Sequence, residues 1–325
     1  MNNSNQLIKN ADDIAGIIFS VGNAMAHGAG SVFETIGNFL AGLLDAFGKV
    51  LKNIPAVGKY LGGFFHWLGT IISAGSDLIA IFINGAIYLL ANGFAGVLRI
   101  LGGGLAVIIA RDWGLIRKGV NDLLSGIGGV SIAIAAKLLA FLQAVFFLQM
   151  GERPLSKKEK EILRRVYRNS VALNNIRLIE GFAGLFSVNK RPFTLGNKIY
   201  MKQIRSDTDP GTFVHEVCHV WQYQRTGVRY IAEALWAQWT VPDAYNWKKE
   251  VERGRIRWQD FNREAQAQLV QDVFNHGRRI PSALTAGEFF DEEPISPNVE
   301  FKHRGADHTD LARKTVTLIR NKGIT

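Results

Sequence analysis

The feature that most constrains this chain is a stretch of 21 uncharged residues, Leu78–Leu98, between Asp77 and Arg99. As an α-helix, this stretch rises about 30 Å, which is the thickness of the hydrocarbon core of a bilayer. A second apolar stretch, Ile127–Met150, contains one charged residue, Lys137. These stretches predict a mainly α first half that associates with a membrane. The alternative is a soluble helical bundle with an unusually apolar core.

Three shorter segments extend this pattern. Ala15–Phe33 and Tyr60–Ser76 are apolar, and Ile36–Leu51 is amphipathic, with its large apolar side chains at helical spacing. Glycines weaken isolated helices, and charges recur between the segments. These features favour a hairpin that inserts conditionally over a strongly anchored protein with several spans.

The distribution of charge divides the chain into two parts. Residues 1–150 carry 16 charged side chains, whereas residues 151–325 carry 50. The first part is therefore predicted to be a hydrophobic, Gly-rich helical region that inserts into or associates with a membrane, and the second to fold conventionally. Because Gly151–Pro154 breaks the apolar pattern, we place the boundary there. The second part is predicted to contain a domain over 151–280 and an irregular tail over 281–325 that ends in a short helix.

Composition also narrows the expected location and partners. The first residues are polar and lack the basic and apolar regions of a cleavable signal, so any export is expected to follow another route. The single cysteine, Cys218, excludes an intramolecular disulfide framework. The net charge is +10, but the basic residues are interspersed with acidic ones, and nucleic acid is not predicted as a partner. We expect a membrane-associated location.

Local patterns predict the elements of the second part. Ser156 and Glu159 have the spacing of a capping box at the start of a helix. The segments 176–180 and 198–202 have the composition of strands. The segment 260–274 is predicted to be a buried helix, because its apolar residues recur at helical spacing.

The motif that indicates chemistry is the HExxH sequence formed by His215, Glu216 and His219. Residues four apart lie one above the other on a helix, so both imidazoles can bind the same metal ion. Glu216 lies beside that ion, where its carboxylate can deprotonate a water molecule. The motif therefore predicts Zn²⁺ as cofactor, His215 and His219 as metal ligands and Glu216 as the catalytic residue.

A catalytic zinc ion usually takes three protein ligands and leaves one position open. The best candidate for the third is Glu264, in the first turn of the buried helix at 260–274. Glu233 and His276 remain as alternatives. The position three residues after the second histidine is Gln222, so the extended HExxHxxGxxH pattern is absent.

Other residues near the motif suggest supporting roles. Gln222 lies on the same helix face as His219 and can orient a metal ligand. A tyrosine beside such a site can stabilise an oxyanion. Tyr223, Tyr230 and Tyr245 are available, and the sequence does not choose among them.

The motif belongs to a longer pattern. HExxH is followed by Val-Trp-Gln, then by Tyr-Gln-x-x-Gly-x-x-Tyr-Ile, and later by Asn-x-Glu-x-Gln-Ala. This pattern resembles a group of gluzincin-like zinc metallopeptidase domains found in bacterial toxins, effectors and contractile-injection (type VI-like) secretion proteins. The resemblance covers about 152–276. The matching residues are His215, Glu216, His219, Val220, Trp221, Gln222, Tyr223, Gln224, Gly227, Tyr230, Ile231, Asn262, Glu264, Gln266 and Ala267.

The resemblance implies an α+β zincin-like metallopeptidase domain that hydrolyses peptide bonds in a protein or peptide substrate. It also implies that Glu264, on a second helix, is the third ligand. In a zincin the strand before the active helix lines the cleft, so Leu195–Tyr200 is expected to pair with an extended substrate. Combined with a membrane-active first half, the expected role is that of a secreted bacterial effector or toxin. A secretion chaperone or an immunity protein is then a further expected partner.

Two alternatives stay open. One is an integral membrane housekeeping metallopeptidase, which would cut membrane-proximal substrates in its own cell. The other is a pore-forming or membrane-disrupting toxin with an inactive zincin-like domain. Harm to the host on expression separates the effector from the housekeeping enzyme. Membrane leakage caused by residues 1–150 alone, insensitive to chelators, would identify the pore former.

Overall fold

The described part of the chain is mostly helical and contains two small β-sheets. It divides into two compact units, Met1–Phe147 with Arg225–Ala232, and Leu148–Gln224 with Glu233–Thr325. The structure is a computed structural model that describes residues 2–55, 57–110, 112–149, 151–188, 190–281 and 285–321.

The first unit is built from three long helices, α1 (Asn2–Leu51), α2 (Gly58–Ala110) and α3 (Gly114–Val145). Helix α2 packs against both α1 and α3. The separate segments expected from the sequence are thus joined into continuous helices. Two of these helices, over Gly58–Ile108 and Gly114–Val145, are long and apolar enough to cross a membrane, which agrees with the predicted apolar helical half.

Glycines allow α1 and α2 to approach closely. A methyl group added at Gly37 would lie 1.8 Å from Oγ of Ser76, and one added at Gly22 would lie 2.2 Å from Cβ of Ala91. A glycine within a helix costs about 1 kcal/mol relative to alanine. Here that cost is offset by close packing between the two helices. In the sequence these glycines disfavour long helices, whereas in the fold they are the positions where the helices touch.

The second unit contains a four-stranded sheet. Its strands are β1 (Glu152–Pro154), β2 (Arg177–Glu180), β3 (Phe193–Leu195) and β4 (Lys198–Lys202), in the order β1-β2-β4-β3. Strands β2 and β4 are parallel, and the other pairs are antiparallel. The predicted strands at 176–180 and 198–202 are confirmed. Strand β3 lies at the edge of the sheet, next to the helix that carries the HExxH motif.

Helices lie between and after these strands along the chain. The predicted capping box at the start of the first of these helices is confirmed. The side chain of Ser156 accepts a hydrogen bond from the backbone N–H of Glu159, and the side chain of Glu159 accepts one from the backbone N–H of Ser156. The helices and their bounds are α4 (Lys157–Tyr167), α5 (Pro210–Thr226), α6 (Arg229–Thr240), α7 (Trp247–Glu252), α8 (Arg263–His276) and α9 (Thr309–Arg320).

The segment after residue 280 differs from the irregular tail expected from the sequence. It supplies strands β6 (Val299–His303) and β7 (Ala306–Asp307), which form a second sheet with β5 (Gly277–Arg279). The short helix predicted near the end of the tail is present as α9. Its apolar side chains, among them Phe301 and Val316, belong to the hydrophobic core of the second unit. Strands β5 and β7 are too short to give a periodic signal in the sequence.

Candidate metal centre

Helix α5 places the HExxH motif inside the second unit. Asp209 precedes the helix and its carboxylate accepts from the backbone N and the hydroxyl of Thr212, at 2.9 and 2.7 Å. Pro210 then occupies the first helical position, where its missing N–H costs nothing. Gly227, with φ of +58°, follows the last helical residue in the left-handed conformation that ends many helices. The motif therefore lies in the middle of a firmly terminated helix.

The structure brings together the three metal ligands predicted from the sequence. Nε2 of His215 and Nε2 of His219 lie 3.5 and 3.3 Å from the same oxygen, Oε2 of Glu264. All three residues are buried. Two ligand atoms bound at about 2.1 Å to a tetrahedral ion lie about 3.4 Å apart. Two imidazole nitrogens and one carboxylate oxygen at these separations fit a zinc ion.

Helix α8 supplies Glu264 and fixes its carboxylate. Asn262 caps the helix by accepting from the backbone N–H groups of Glu264 and Ala265, each at 3.0 Å. Gln238 donates to Oε1 of Glu264 at 2.8 Å. One carboxylate oxygen is thus held by an amide, while the other faces the two histidines.

A chain of amide groups orients His219. Nε2 of Gln266 donates to the backbone oxygens of Trp258 and Phe261, so Oε1 of Gln266 must accept. It accepts from Gln222 Nε2 at 2.8 Å, and Gln222 Oε1 is 2.8 Å from Nδ1 of His219. The amide polarity therefore requires the proton of a neutral His219 on Nδ1 and leaves Nε2 free for a metal. This is the supporting position that the sequence predicts for Gln222.

The second imidazole is held differently. Nδ1 of His215 is buried and has no hydrogen-bond partner among the residues that the structure describes. The ring of Tyr245 stacks against His215 with centroids 6.0 Å apart, and the guanidinium of Arg191 lies over the Tyr245 ring, 5.9 Å from its centroid. Of the three tyrosines considered in the sequence, Tyr245 is thus placed beside a candidate ligand. Tyr223 is buried on α5, and Tyr230 belongs to the residues grouped with the first unit.

Glu216 is positioned by the edge strand. The hydroxyl of Thr194, on β3, donates to Oε2 of Glu216 at 2.7 Å and lies 3.0 Å from its backbone oxygen. The expectation that Leu195–Tyr200 forms the cleft strand needs correction. Residues 198–200 belong to β4, which is buried and paired on both sides, so β3 is the edge strand beside the motif.

The charged side chains shift one another's pKa. Burial disfavours the charged form of His219, but the carboxylates of Glu264 and Glu216 outweigh this effect and raise its pKa to about 9. Burial also opposes the charged form of Glu264, but His219 and His215 hold the pKa of that carboxyl well below its usual range. The cluster therefore favours positive charge at its centre, as a bound cation would provide.

The alternative third ligands lie elsewhere. The carboxylate of Glu233 accepts from Arg263 at 2.6 Å, and His276 lies at the opposite end of α8 from Glu264. Cys218 is fully buried among core residues, and burial raises the pKa of its thiol, so the neutral thiol is favoured. It is a core residue rather than a ligand.

Thr194 and Gln238 contact the site through hydrogen bonds that the sequence does not reveal. Each is distant in sequence from the residue it binds, Glu216 and Glu264 respectively, and neither belongs to a motif. Comparisons of the chain with protein-family models, with curated proteins and with solved structures found no match. The resemblance to gluzincin-like domains therefore rests on the motif residues alone.

Proposed function

We propose that the second unit is a zinc-dependent metallopeptidase of the zincin type. His215, His219 and Glu264 would hold Zn²⁺, with Glu216 as the general base. The observation that carries this proposal is the convergence of two imidazole nitrogens on one carboxylate oxygen, at 3.5 and 3.3 Å, directly beside Glu216. Three protein ligands with a neighbouring carboxylate suit an open, catalytic metal site better than a closed structural one.

When bound, zinc lowers the pKa of water and acts as a Lewis acid on a carbonyl group. The chain's own residues would move the protons. Glu216, held by Thr194, would accept a proton from the attacking water and deliver it to the leaving nitrogen. Burial and the nearby carboxylates of Glu264 and Glu216 raise the pKa of Tyr245 above its usual range. Its phenol therefore stays protonated at neutral pH and can donate to the oxyanion.

The substrate is proposed to be an extended peptide or protein segment. Strand β3 is the outermost strand of its sheet in the part of the chain that the structure describes, and the backbone of the peptide is proposed to align along it. Thr194 lies in the middle of this strand and contacts Glu216. A peptide bound along β3 would therefore have its backbone close to the catalytic carboxylate.

The test combines bound zinc with hydrolysis of an unstructured protein such as casein by the full-length protein. We expect His219→Ala and Glu264→Ala each to bind about one zinc fewer than wild type. Glu216→Gln should keep the zinc and lose about 10²–10⁴-fold in rate. Glu161→Gln, at an exposed position on α4, is the matched control and should leave both unchanged. Wild-type rates in Glu216→Gln would refute the proposed role of Glu216.

The first unit is proposed to act on a membrane. Large apolar side chains such as Phe94 and Leu101 are exposed on its helices, whereas Asp77 and Lys137 form a buried ion pair at 2.8 Å. Apolar exteriors of this extent suit contact with lipid. Together with the resemblance of the second unit, this supports a secreted bacterial effector that enters or crosses a target membrane and then cuts a protein.

Expression of matched variants separates this role from its alternatives. Toxicity of wild type but not of Glu216→Gln supports a proteolytic effector. Equal toxicity of both, with leakage of dye from vesicles, supports a pore former with an inactive second unit. Constitutive membrane partition without harm to the host supports a housekeeping peptidase.

A further inference from the structure

A second group of potential metal ligands lies at the C-terminal end of α8. Asp272 and His276 are four residues apart on this helix, and His303 comes from β6. One ligand atom from each lies within 4.8 Å of the others. Oδ2 of Asp272 is 3.6 Å from Nδ1 of His303, and the two imidazole rings are 5.7 Å apart. The four-residue spacing places Asp272 and His276 on one helix face.

The carboxylate of this group is oriented by residues outside it. Trp247 Nε1 donates to Oδ2 of Asp272 at 2.8 Å, and Gln268 Nε2 donates to Oδ1 at 2.9 Å. Each carboxylate oxygen has two lone pairs, so both retain the capacity to bind a cation. The ring of Trp247 also packs edge-on against His303, with centroids 5.7 Å apart. Hydrogen bonds and ring contacts from neighbouring residues orient the ligands in known metal sites in the same way.

A metal ion can reach the group from solvent. His276 is exposed, and Asp272 and His303 are half-buried. Lys248 and Arg304 act electrostatically on His303, so a cation here has to overcome their charge. Two imidazoles and one carboxylate favour a transition-metal ion over Ca²⁺ or Mg²⁺, which prefer oxygen ligands. We expect weaker binding than at the buried cluster of His215, His219 and Glu264.

We propose that Asp272, His276 and His303 form a second binding site for a divalent transition-metal ion, with Zn²⁺ as the ion that suits these ligands. The site does not depend on the proposed peptidase activity. It joins α8 to β6, two elements that already pack against each other. An ion at this position would therefore cross-link the helix that carries Glu264 to the second sheet and stabilise the second unit.

Zinc titration of the full-length protein tests the proposal, with bound metal measured by elemental analysis after removal of free Zn²⁺. Wild type should bind about two zinc ions, and His276→Ala, Asp272→Asn and His219→Ala about one each. The double variant His219→Ala/His276→Ala should bind none. His66→Ala, which removes an imidazole from the first unit, is the matched control and should bind as wild type does.

The same variants test the two proposed metal sites separately. If His276→Ala binds as much zinc as wild type, the second site is wrong, whatever His219→Ala does. If His276→Ala loses one zinc and His219→Ala loses none, the second site stands and the proposed peptidase site is refuted. Stability gives a second readout. Zn²⁺ should raise the unfolding midpoint of His219→Ala but not of the double variant, and an equal rise in both would overturn the proposal.

Discussion

The two units differ in where they place their large apolar side chains. In the second unit many large apolar residues, such as Trp221 and Phe301, are buried in one core. In the first unit Phe94 is 65% and Ile108 is 81% exposed, while Lys137 is almost completely buried. Hydropathy alone therefore does not say which side chains a fold encloses. The exposed apolar surface of the first unit agrees with its proposed contact with lipid.

The largest effect is expected from breaking the buried ion pair of the first unit. Lys137→Met leaves the carboxylate of Asp77 buried without its cation and should destabilise the protein by about 3–5 kcal/mol. Lys198→Met is the matched variant in the second unit, because Lys198 is also buried and binds Glu152 at 3.0 Å. Denaturant unfolding measures both. We expect both variants to be destabilised, because each unit buries such a pair. A negligible effect of Lys137→Met would show that the first unit does not enclose this pair.

The apolar exterior of the first unit gives the next prediction. Phe94→Arg places a charge on that exterior and should weaken partition into lipid vesicles, since arginine at the centre of a membrane helix costs about 2.5–3.5 kcal/mol. Ile256→Arg is the control, because Ile256 is 75% exposed in the second unit. Sedimentation of vesicles with each variant measures the partition. Equal partition of the two would show that Phe94 does not face lipid.

The polar interior of the second unit is expected to serve metal binding. Gln222→Ala removes the group that orients His219 and should weaken zinc binding about 10–100-fold, as is typical when a residue that supports a ligand is lost. Gln271→Ala, which loses a single long hydrogen bond to Thr212 at 3.4 Å, is the control. Competition with a chromogenic chelator measures the affinity. If Gln222→Ala binds zinc as tightly as the control, the amide chain has a packing role only.

The smallest predicted effect concerns acid stability of the second unit. Burial opposes the charge of Glu159, but hydrogen bonds from Arg153, Ser206 and Ser156 outweigh it and lower its pKa from 4.5 to about 2. A lowered folded-state pKa stabilises the fold above pH 4.5, and this stability is lost as the pH falls from about 4.5 towards 2.

Because Arg153 is 37% exposed, screening reduces the contribution to roughly 1–2 kcal/mol. Glu159→Gln should therefore lower the urea midpoint at pH 6 and depend less on pH below about 4.5 than wild type does. Glu161→Gln, an exposed neighbour on the same helix, should follow the wild-type pH dependence. If Glu159→Gln also follows the wild-type pH dependence, the ionised carboxylate of Glu159 does not stabilise the second unit.

The parts of the fold that the sequence predicts are those with a local physical cause. Residues four apart share a helix face, which is why their spacing alone is enough to pair His215 with His219. The capping box at Ser156 and the strands at 176–180 and 198–202 also depend on neighbouring residues. The prediction of Glu264 needed a further argument. A catalytic zinc ion takes a third protein ligand, and Glu264 lies in the first turn of a helix predicted to be buried.

The parts that escaped prediction depend on tertiary contacts. Thr194 and Gln238 are ordinary polar residues until the fold brings them to Glu216 and Glu264. In the second sheet, β5 and β7 have only three and two residues, which is too short for a periodic signal. The length of α1 and α2 is obscured in the sequence because glycine weakens an isolated helix, whereas a partner helix at close range reverses that effect.

The amide chain from Gln266 through Gln222 to His219 also limits which sequences can make this site. Backbone oxygens accept hydrogen bonds and never donate them, so the chain can run in one direction only. Replacing either glutamine by glutamate keeps the size and shape of the side chain but supplies acceptors where a donor is required. Glutamate would fit both positions by volume but not by polarity. The choice of residue there is therefore fixed by the main-chain carbonyl groups of Trp258 and Phe261.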